Sequence, residues 1–325
     1  MVLLLLALSG CGGSERDAPQ PPAQPTRLFL AGDGELTVVD VDAARAEVHR
    51  LPVLAPGDPL YRIVRRGDKL VVFGFDTYVL DPDVPSVPRK LGDSWYFVPS
   101  SEHDRVWLTD LDETSPDTRR RIASVREMSV AGDVTFPAVQ PPRGQGPLTG
   151  VGEELVFDDR RGGLELWSPS TGEVTRHLPD AALGAAHENL LAWCEDEGRV
   201  LHVTDVESGD DRTIEPPEAF TAFDCWSAAF APDGTTLALA AMYGDAYDQD
   251  RTLVLVDLGD GEAMPINGST VQPLYVYVAW SSAGDRVFVT GRSDEGFSLL
   301  EYRVGAPSAV RIPVRVRDFY GMAAT

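Results

Sequence analysis

One sequence pattern recurs seven times along the chain and constrains the fold more than any other feature. In each copy, a polar turn containing Gly, Asp or Glu precedes a Leu or Val that opens a short apolar run. Clear copies are RRGDKLVVFG, VGEELVFDD and PDGTTLALAA. The residues that open the seven runs are Leu28, Leu70, Val106, Leu155, Leu190, Leu237 and Val287, and successive members lie 35 to 50 residues apart. A period in this range indicates an array of similar supersecondary units.

Each copy contains the parts of a small antiparallel sheet. After the opening strand comes a hairpin, clearest between Leu164 and Leu178, where Ser170-Thr171-Gly172 forms the turn. Apolar and polar residues alternate with period two, which predicts strands. Another short strand precedes each opening strand except the first, as at 183–186 and 226–230. For the strand at 183–186 a helix over 179–192 is the alternative, since Ala and Leu favour helices. Four strands in about 40–50 residues are typical of one β-propeller blade.

The two ends of the chain complete one another. The first copy lacks the strand before its opening strand, because Arg27 starts directly on the apolar run. The last residues, DFYGMAAT from Asp318 to Thr325, read as such a strand without its continuation. Pairing the two ends would remove the open edges of the array. We therefore predict an all-β fold, a seven-bladed β-propeller closed by pairing of the N- and C-terminal strands.

Two copies carry a recognisable family motif. APDGTTLALA (Ala231 to Ala240) and WSSAGDRVFVTG (Trp280 to Gly291) resemble the repeats of bacterial WD40-like propellers, which include the TolB-type and YncE-type propellers. The resemblance implies the propeller fold and leaves the ligand open, because one fold hosts many functions.

The N-terminus resembles the signal of bacterial lipoproteins. MVLLLLAL is too short to cross a membrane, which needs about 20 apolar residues, and it suits the apolar part of a secretory signal. The following Ser9-Gly10-Cys11 resembles a lipobox, which implies that Cys11 is acylated. We expect a signal over 1–11, a Pro-rich tether over 12–26 and the propeller over 27–325. An apolar N-terminus with a chance Cys, followed by a disordered segment, is the alternative.

Charge and cysteine content bear on location and partners. The net charge of −23 over 325 residues argues against a nucleic-acid partner and against electrostatic docking on an anionic membrane. We therefore expect contact with the bilayer through acylated Cys11. The expected location is the extracytoplasmic side of the cell membrane. In an exported protein, Cys194 and Cys225 can form a disulfide, or they can be two separate buried thiols.

Carboxylates recur in the turn between the second and third strands of each copy, which lies on one face of a propeller. The predicted acidic face consists of Asp33, Asp76, Asp110, Asp158, Glu195, Asp245 and Asp294. Such a face would attract cations or basic partners. The alternative is ordinary turn chemistry in an acidic chain.

Two further residue groups are candidates for binding. Asp245, Asp248 and Asp250 can supply oxygen ligands to Ca²⁺, the one cofactor considered, although a solvated hairpin is the alternative. Aromatic residues near the predicted inner strands would line a cleft at the channel mouth or pack between blades. They are Trp95, Tyr96, Trp226, Tyr275, Tyr277, Trp280 and Tyr320.

These observations favour a membrane-anchored binding or interaction module for an envelope protein, peptide or glycan. The sequence carries neither a G-x-S-x-G nucleophile motif nor a P-loop, and no catalytic residue is predicted. The main alternative is a glycosidase or lyase that uses two carboxylates at the channel mouth. A structural component without a ligand is a further alternative.

Overall fold

The computed structural model describes residues 25–54, 60–74, 76–111, 121–244, 249–272, 276–293, 296–316 and 319–325. These residues form 28 strands and two single-turn 3₁₀ helices. The first half of the chain contains β1 (Arg27–Ala31), β2 (Glu35–Asp40), β3 (Arg45–Arg50), β4 (Arg62–Arg66), β5 (Lys69–Phe73), β6 (Thr77–Asp81), β7 (Val84–Gly92), β8 (Tyr96–Pro99), β9 (Arg105–Leu111), β10 (Ile122–Ser129), β11 (Val134–Val139), a 3₁₀ turn (Pro142–Gly144), β12 (Thr149–Val151), β13 (Glu154–Asp158), β14 (Leu164–Ser168) and β15 (Glu173–Leu178). The second half contains β16 (Ala181–His187), β17 (Leu190–Glu195), a 3₁₀ turn (Asp196–Gly198), β18 (Val200–Asp205), β19 (Asp211–Ile214), β20 (Ala222–Phe230), β21 (Thr236–Met242), β22 (Arg251–Asp257), β23 (Ala263–Pro265), β24 (Val278–Trp280), β25 (Arg286–Ser293), β26 (Gly296–Arg303), β27 (Val310–Val316) and β28 (Gly321–Ala324).

The strands form seven four-stranded antiparallel sheets, so the predicted seven-bladed propeller is confirmed. Blade 1 has the order β28-β1-β2-β3, and blades 2 to 7 each use four consecutive strands. The innermost strand of each blade is the one that comes first in that order. The opening residues named from the repeat all lie in or next to second strands. The segment 179–192 forms β16 and β17, so the helical alternative is wrong there.

The ring closes where the sequence predicted. Strand β28 pairs antiparallel with β1, with Leu28 opposite Ala324 and Leu30 opposite Met322. Beyond the strands, the Thr325 amide donates to the Arg27 carbonyl at 3.0 Å. Every blade therefore has four strands, and the two chain ends share one sheet.

A salt bridge spans the same closure. Arg286, on β25 of blade 7, reaches Asp42 in the β2–β3 turn of blade 1 at 2.8 Å and Glu301 at 3.2 Å. The hydrogen bond from Arg286 is the main reason that the pKa of Asp42 lies below its usual value. This salt bridge therefore links blades 7 and 1, in addition to the strand pairing that closes the ring.

Apolar side chains fill the seven junctions between neighbouring blades. The cluster between blades 1 and 2 contains Phe29, Leu36, Leu70 and Leu80, all without solvent exposure. Burying such a side chain contributes about 1.5–3 kcal/mol, so packing between blades holds the ring together.

Small residues let the innermost strands approach one another near the axis. A Cβ added at Gly321 of β28 would lie 3.2 Å from the amide nitrogen of Ile63 in β4. This is tighter than ordinary packing, and it explains why several inner strands, such as β12, β16 and β28, are rich in small residues.

The alternation of strand direction gives the ring two faces. The upper face carries the turns between second and third strands and the connections to the next blade. The lower face carries the turns between first and second strands and between third and fourth strands. The chain enters the ring at the lower face, where the Thr26 carbonyl accepts from the Val41 amide at 3.1 Å.

Among the described residues there is no helix with the length and apolar character needed to cross a membrane.

Candidate binding site at the upper mouth of the channel

A bulge in the innermost strand of blade 6 creates the most distinctive feature of the upper face. Asp224 pairs with Ala240 and Ala229 pairs with Ala238, so the intervening β20 residues 225–228 face a single residue of β21. The Ser227 hydroxyl accepts from the Ala240 amide at 2.8 Å and donates to the Asp224 carbonyl at 2.7 Å. This hydroxyl replaces the missing ladder bonds, and the bulge stands out from the sheet at the channel.

Trp226 lies on this bulge and is 77% exposed. A large aromatic side chain that is mostly exposed lacks the stabilisation that burial usually provides. Its two neighbours are both restrained, Cys225 by a disulfide and Ser227 by two hydrogen bonds. The Trp226 side chain is therefore exposed to solvent on a fixed backbone.

A disulfide holds one side of the bulge. Cys225 is bonded to Cys194 of β17, with their Cα atoms 6.2 Å apart. The bond links blade 5 to blade 6, and both cysteines are buried. It restrains the bulge relative to the neighbouring blade.

A buried ion pair restrains Asp224, the residue before Cys225. Arg251 Nε donates to Asp224 Oδ2 at 2.6 Å, and Arg251 Nη1 donates to the Gln249 carbonyl at 2.6 Å. Both side chains are largely buried. Because the charges neutralise each other, the floor of the site is polar without carrying a net charge.

These groups line a groove of about 320 Å³ between blades 5 and 6. Its walls include Phe223, Met242 and Arg199 beside Trp226 and the disulfide. Gly198 allows the close packing of the groove, because a Cβ at its φ of +93° would collide with the Phe223 carbonyl oxygen. The groove can accept a flat or apolar group against Trp226.

The exposed aromatic side chains of the described residues all belong to the upper face. Tyr243 is 48% exposed and packs on Phe220 next to the groove, with ring centroids 4.6 Å apart. Tyr61 and Tyr320 are 52% and 40% exposed and lie at the upper ends of blades 2 and 1. Their ring centroids are 6.4 Å apart. The upper mouth therefore has aromatic rings on both sides, and Trp226 is the most exposed of them.

The other aromatic candidates behave differently. Trp280 is buried and its Nε1 donates to the Ala229 carbonyl at 2.9 Å. The Tyr96 hydroxyl donates to the Pro147 carbonyl at 3.1 Å. Trp95 and Tyr277 pack against apolar clusters between blades. Tyr275 lies outside the described residues.

The five carboxylates of the predicted acidic face that the structure describes lie at the upper ends of blades 1 to 5, and four of them have local partners. Asp76 pairs with Lys90 at 2.9 Å. Asp110 accepts from Arg126 at 2.6 Å and from Ser124 at 2.8 Å.

Two other members of the acidic face are also engaged within their own blades. Asp158 accepts the Arg160 amide at 2.6 Å, and Glu195 lies 3.5 Å from the His202 ring nitrogen. Asp33 is exposed, while Asp245 and Asp294 lie outside the described residues.

The lower face also carries carboxylates, in addition to those predicted for the upper face. Each turn between a first and a second strand in blades 2 to 7 carries a carboxylate, and these include Asp68, Glu102, Glu153, Glu188, Asp233 and Asp285. Three of them line a groove of about 720 Å³. Because turns favour Asp and Gly on both faces, acidity does not distinguish the upper face; the exposed aromatic rings do.

No calcium site emerges from the described residues. Asp245 and Asp248 lie outside them and Asp250 is exposed. In the part of the chain that the structure describes, no three His, Cys, Asp or Glu side chains are grouped to hold a metal ion.

The carboxyl groups whose pKa is displaced in that part of the chain all have it lowered; they are Asp42, Asp81, Asp93, Asp159 and Asp233. A general acid of a glycosidase needs a raised pKa, so the displaced values give the enzyme alternative no support.

The fold and the site define a seven-bladed β-propeller with an aromatic upper mouth. No protein-family model matches the chain, and no curated protein matches its sequence. Solved structures that it resembles are propellers. They include TolB from Acinetobacter baumannii, with 12% identity over 92% of this chain and 66% of that chain and a TM-score of 0.52.

Two further similar structures cover most of both chains. Apo AztD from Citrobacter koseri has 14% identity over 93% of this chain and 98% of that chain, with a TM-score of 0.53. The Pan2 WD40 domain from Neurospora crassa has 11% identity over 90% and 87%, with a TM-score of 0.55. The predicted resemblance to TolB-type and WD40-like propellers is thus confirmed at the level of the fold, which is all that such identities show.

Proposed function

We propose that this chain is a binding module that captures an envelope protein, peptide or glycan at its upper mouth while an acylated Cys11 anchors it to the membrane. The observation that carries the proposal is Trp226, exposed on a bulge that the disulfide and the Asp224–Arg251 pair restrain. Exposed Trp and Tyr on a rigid support are typical of binding surfaces, since they give large contact area at low entropic cost.

The chain path supports the orientation that this proposal requires. Thr26 lies at the lower face of the propeller. A tether over 12–26 would therefore leave the propeller from the face opposite the aromatic mouth. An extended Pro-rich segment of that length reaches about 45 Å at about 3.1 Å per residue. The upper mouth then faces away from the anchoring membrane and is open to partners.

The disulfide supports an extracytoplasmic location. Disulfides persist in oxidising compartments and are rare in the cytosol. Cys194 and Cys225 are bonded in the structure, and export of the propeller by the lipoprotein-like signal would supply the compartment in which this bond is stable.

Membrane fractionation tests the anchor. Cys11→Ala should move the protein from the membrane fraction to the soluble extracytoplasmic fraction, because no acyl chain is then attached. Ser9→Ala, which keeps a small residue before the cysteine, is the control and should stay in the membrane. Retention of the Cys11→Ala protein in the membrane would contradict lipid anchoring.

Capture experiments test the mouth. Partners purified with the native protein should be lost with Trp226→Ala and kept with Val310→Ala, which removes an exposed apolar side chain from an outer strand. Since stacking is little screened by salt, capture at the mouth should survive high salt. Capture that disappears in high salt and ignores Trp226→Ala would instead assign binding to the carboxylates.

A further inference from the structure

The innermost strand of blade 2 carries an unusual concentration of positive charge. Strand β4 reads RIVRR, whereas β8, β12, β24 and β28 contain no charged residue. Alternation places Arg62 and Arg66 on the same side of β4. Both reach blade 3, where Arg62 Nη1 donates to the Phe97 carbonyl at 3.3 Å and Arg66 Nη2 donates to the Ser100 carbonyl at 2.8 Å.

In the described part of the chain, neither guanidinium group has a carboxylate partner of the kind that Arg126 and Arg286 have. Arg126 pairs with Asp110 at 2.6 Å and Arg286 with Glu301 at 3.2 Å. Within the described residues no carboxylate forms a salt bridge with Arg62 or Arg66, and Arg66 Nε is buried without a hydrogen-bond partner. The chain has 51 acidic residues for 28 basic ones, so the missing partners do not reflect a shortage of carboxylates.

The Arg66 guanidinium remains charged at neutral pH. Burial, together with repulsion from Arg62, lowers the pKa of Arg66 to about 10. Burial also lowers the pKa of Arg62. A buried charge without a countercharge is costly. Arg62 is partly compensated, because its guanidinium lies 5.8 Å from the centroid of the Phe97 ring, whereas the buried Arg66 Nε has no partner among the described residues.

Arg62 and Arg66 are both partly accessible, and they belong to an innermost strand that borders the channel. We propose that Arg62 and Arg66 form an anion site in the channel wall that binds a small free oxyanion of the phosphate class. Guanidinium groups suit this ligand, because their planar donors match the spacing of phosphate oxygens.

The site is distinct from the upper groove. It lies between blades 2 and 3, whereas the groove lies between blades 5 and 6. The two proposals can therefore fail independently. A result against partner capture at Trp226 does not bear on the anion site, and a result against anion binding does not bear on the proposed function.

Calorimetric titration of the folded, full-length propeller with inorganic phosphate tests the proposal, with chloride at matched ionic strength as the reference. We expect one phosphate per chain and a rise in melting temperature that chloride does not produce. Arg66→Met and Arg62→Met should each weaken phosphate binding at least tenfold. Arg50→Met, which removes the same charge from an exposed position on β3, should leave it unchanged.

Stability without phosphate separates this role from a purely structural one. If the two guanidinium groups form an anion site, the Arg66→Met protein should be at least as stable as the native protein in phosphate-free buffer. The substitution removes a buried charge that has no countercharge. The proposal is overturned if the native protein shows no saturable binding. It is also overturned if Arg66→Met is destabilised equally with and without phosphate, since Arg66 would then only tie β4 to β8.

Discussion

Loss of the disulfide between Cys194 and Cys225 should destabilise the propeller by an amount that the loop length sets. The bond closes a loop with a sequence separation of 31 residues. In the chain-entropy treatment, a loop of this size restricts the unfolded state by an amount that corresponds to about 3.7 kcal/mol at 25 °C. The two cysteines are buried at a junction between blades, so reduction should also loosen the bulge that carries Trp226.

Urea unfolding of the native protein with and without dithiothreitol measures this contribution. With a denaturant slope of about 3 kcal/mol per molar, the reduced protein should unfold at a urea concentration about 1 M lower. Circular dichroism at a strand wavelength reports the transition, because the described fold is built almost wholly of strands.

The variant with both Cys194→Ala and Cys225→Ala provides the matched control. It should unfold near the reduced native protein and should not respond to dithiothreitol. Removing both cysteines avoids a lone thiol that could form dimers. Equal midpoints for the oxidised and reduced native protein would refute the reasoning, because the bond would then contribute nothing to the stability of the ring.

Three further changes test the junctions, the closure and the groove. Phe29→Ala should lower the free energy of unfolding by about 3–5 kcal/mol, because it empties a fully buried junction, whereas Val48→Ala at an exposed position should stay within about 0.5 kcal/mol. Asp42→Asn should cost up to about 1 kcal/mol at neutral pH. Gly198→Ala should cost more than Gly172→Ala: both glycines have positive φ, but only at Gly198 would the new Cβ meet the backbone of a neighbouring strand.

Urea unfolding measures the change in the free energy of unfolding for all of these variants. Each of the three predictions can be contradicted by a specific result. For Asp42, the folded-state pKa is lowered, so its contribution is complete above the unfolded-state value near 3.8 and disappears as the pH falls through the folded value. A difference between native and Asp42→Asn proteins that persists below that range would not come from this carboxylate. Equal losses for Phe29→Ala and Val48→Ala, or for the two glycine variants, would refute the packing arguments.

Patterns local to the sequence were sufficient to predict the architecture. The recurring turn and apolar run located the second strand of every blade, and the matching ends near Arg27 and Thr325 predicted the closure. Both features depend on alternation, turn residues and spacing, which act between residues close in the chain. The strand limits differ from prediction by a few residues, as for β20, which begins at Ala222 rather than at Trp226.

The candidate site needed information that the sequence does not carry locally. Trp226 was one of seven aromatic candidates, and packing between blades was the favoured interpretation for all of them. Its exposure follows from the register shift between β20 and β21, which only the pairing with Ala240 and Ala238 reveals. The flanking Ser227 is the one local sign, since its hydroxyl can replace backbone hydrogen bonds.

The electrostatic character of the faces was also a tertiary outcome. The sequence shows Asp110 in a turn, but Arg126 becomes its partner because β9 and β10 pair in one particular register. The unpaired Arg62 and Arg66 arise in the same way, because the carbonyls that they meet belong to the next blade. The sequence by itself thus determined the number of blades, their strands and their closure, which follow from short-range periodicity. Only the tertiary structure decided which charges are neutralised and which aromatic ring faces solvent, because those outcomes depend on contacts between residues distant in the chain.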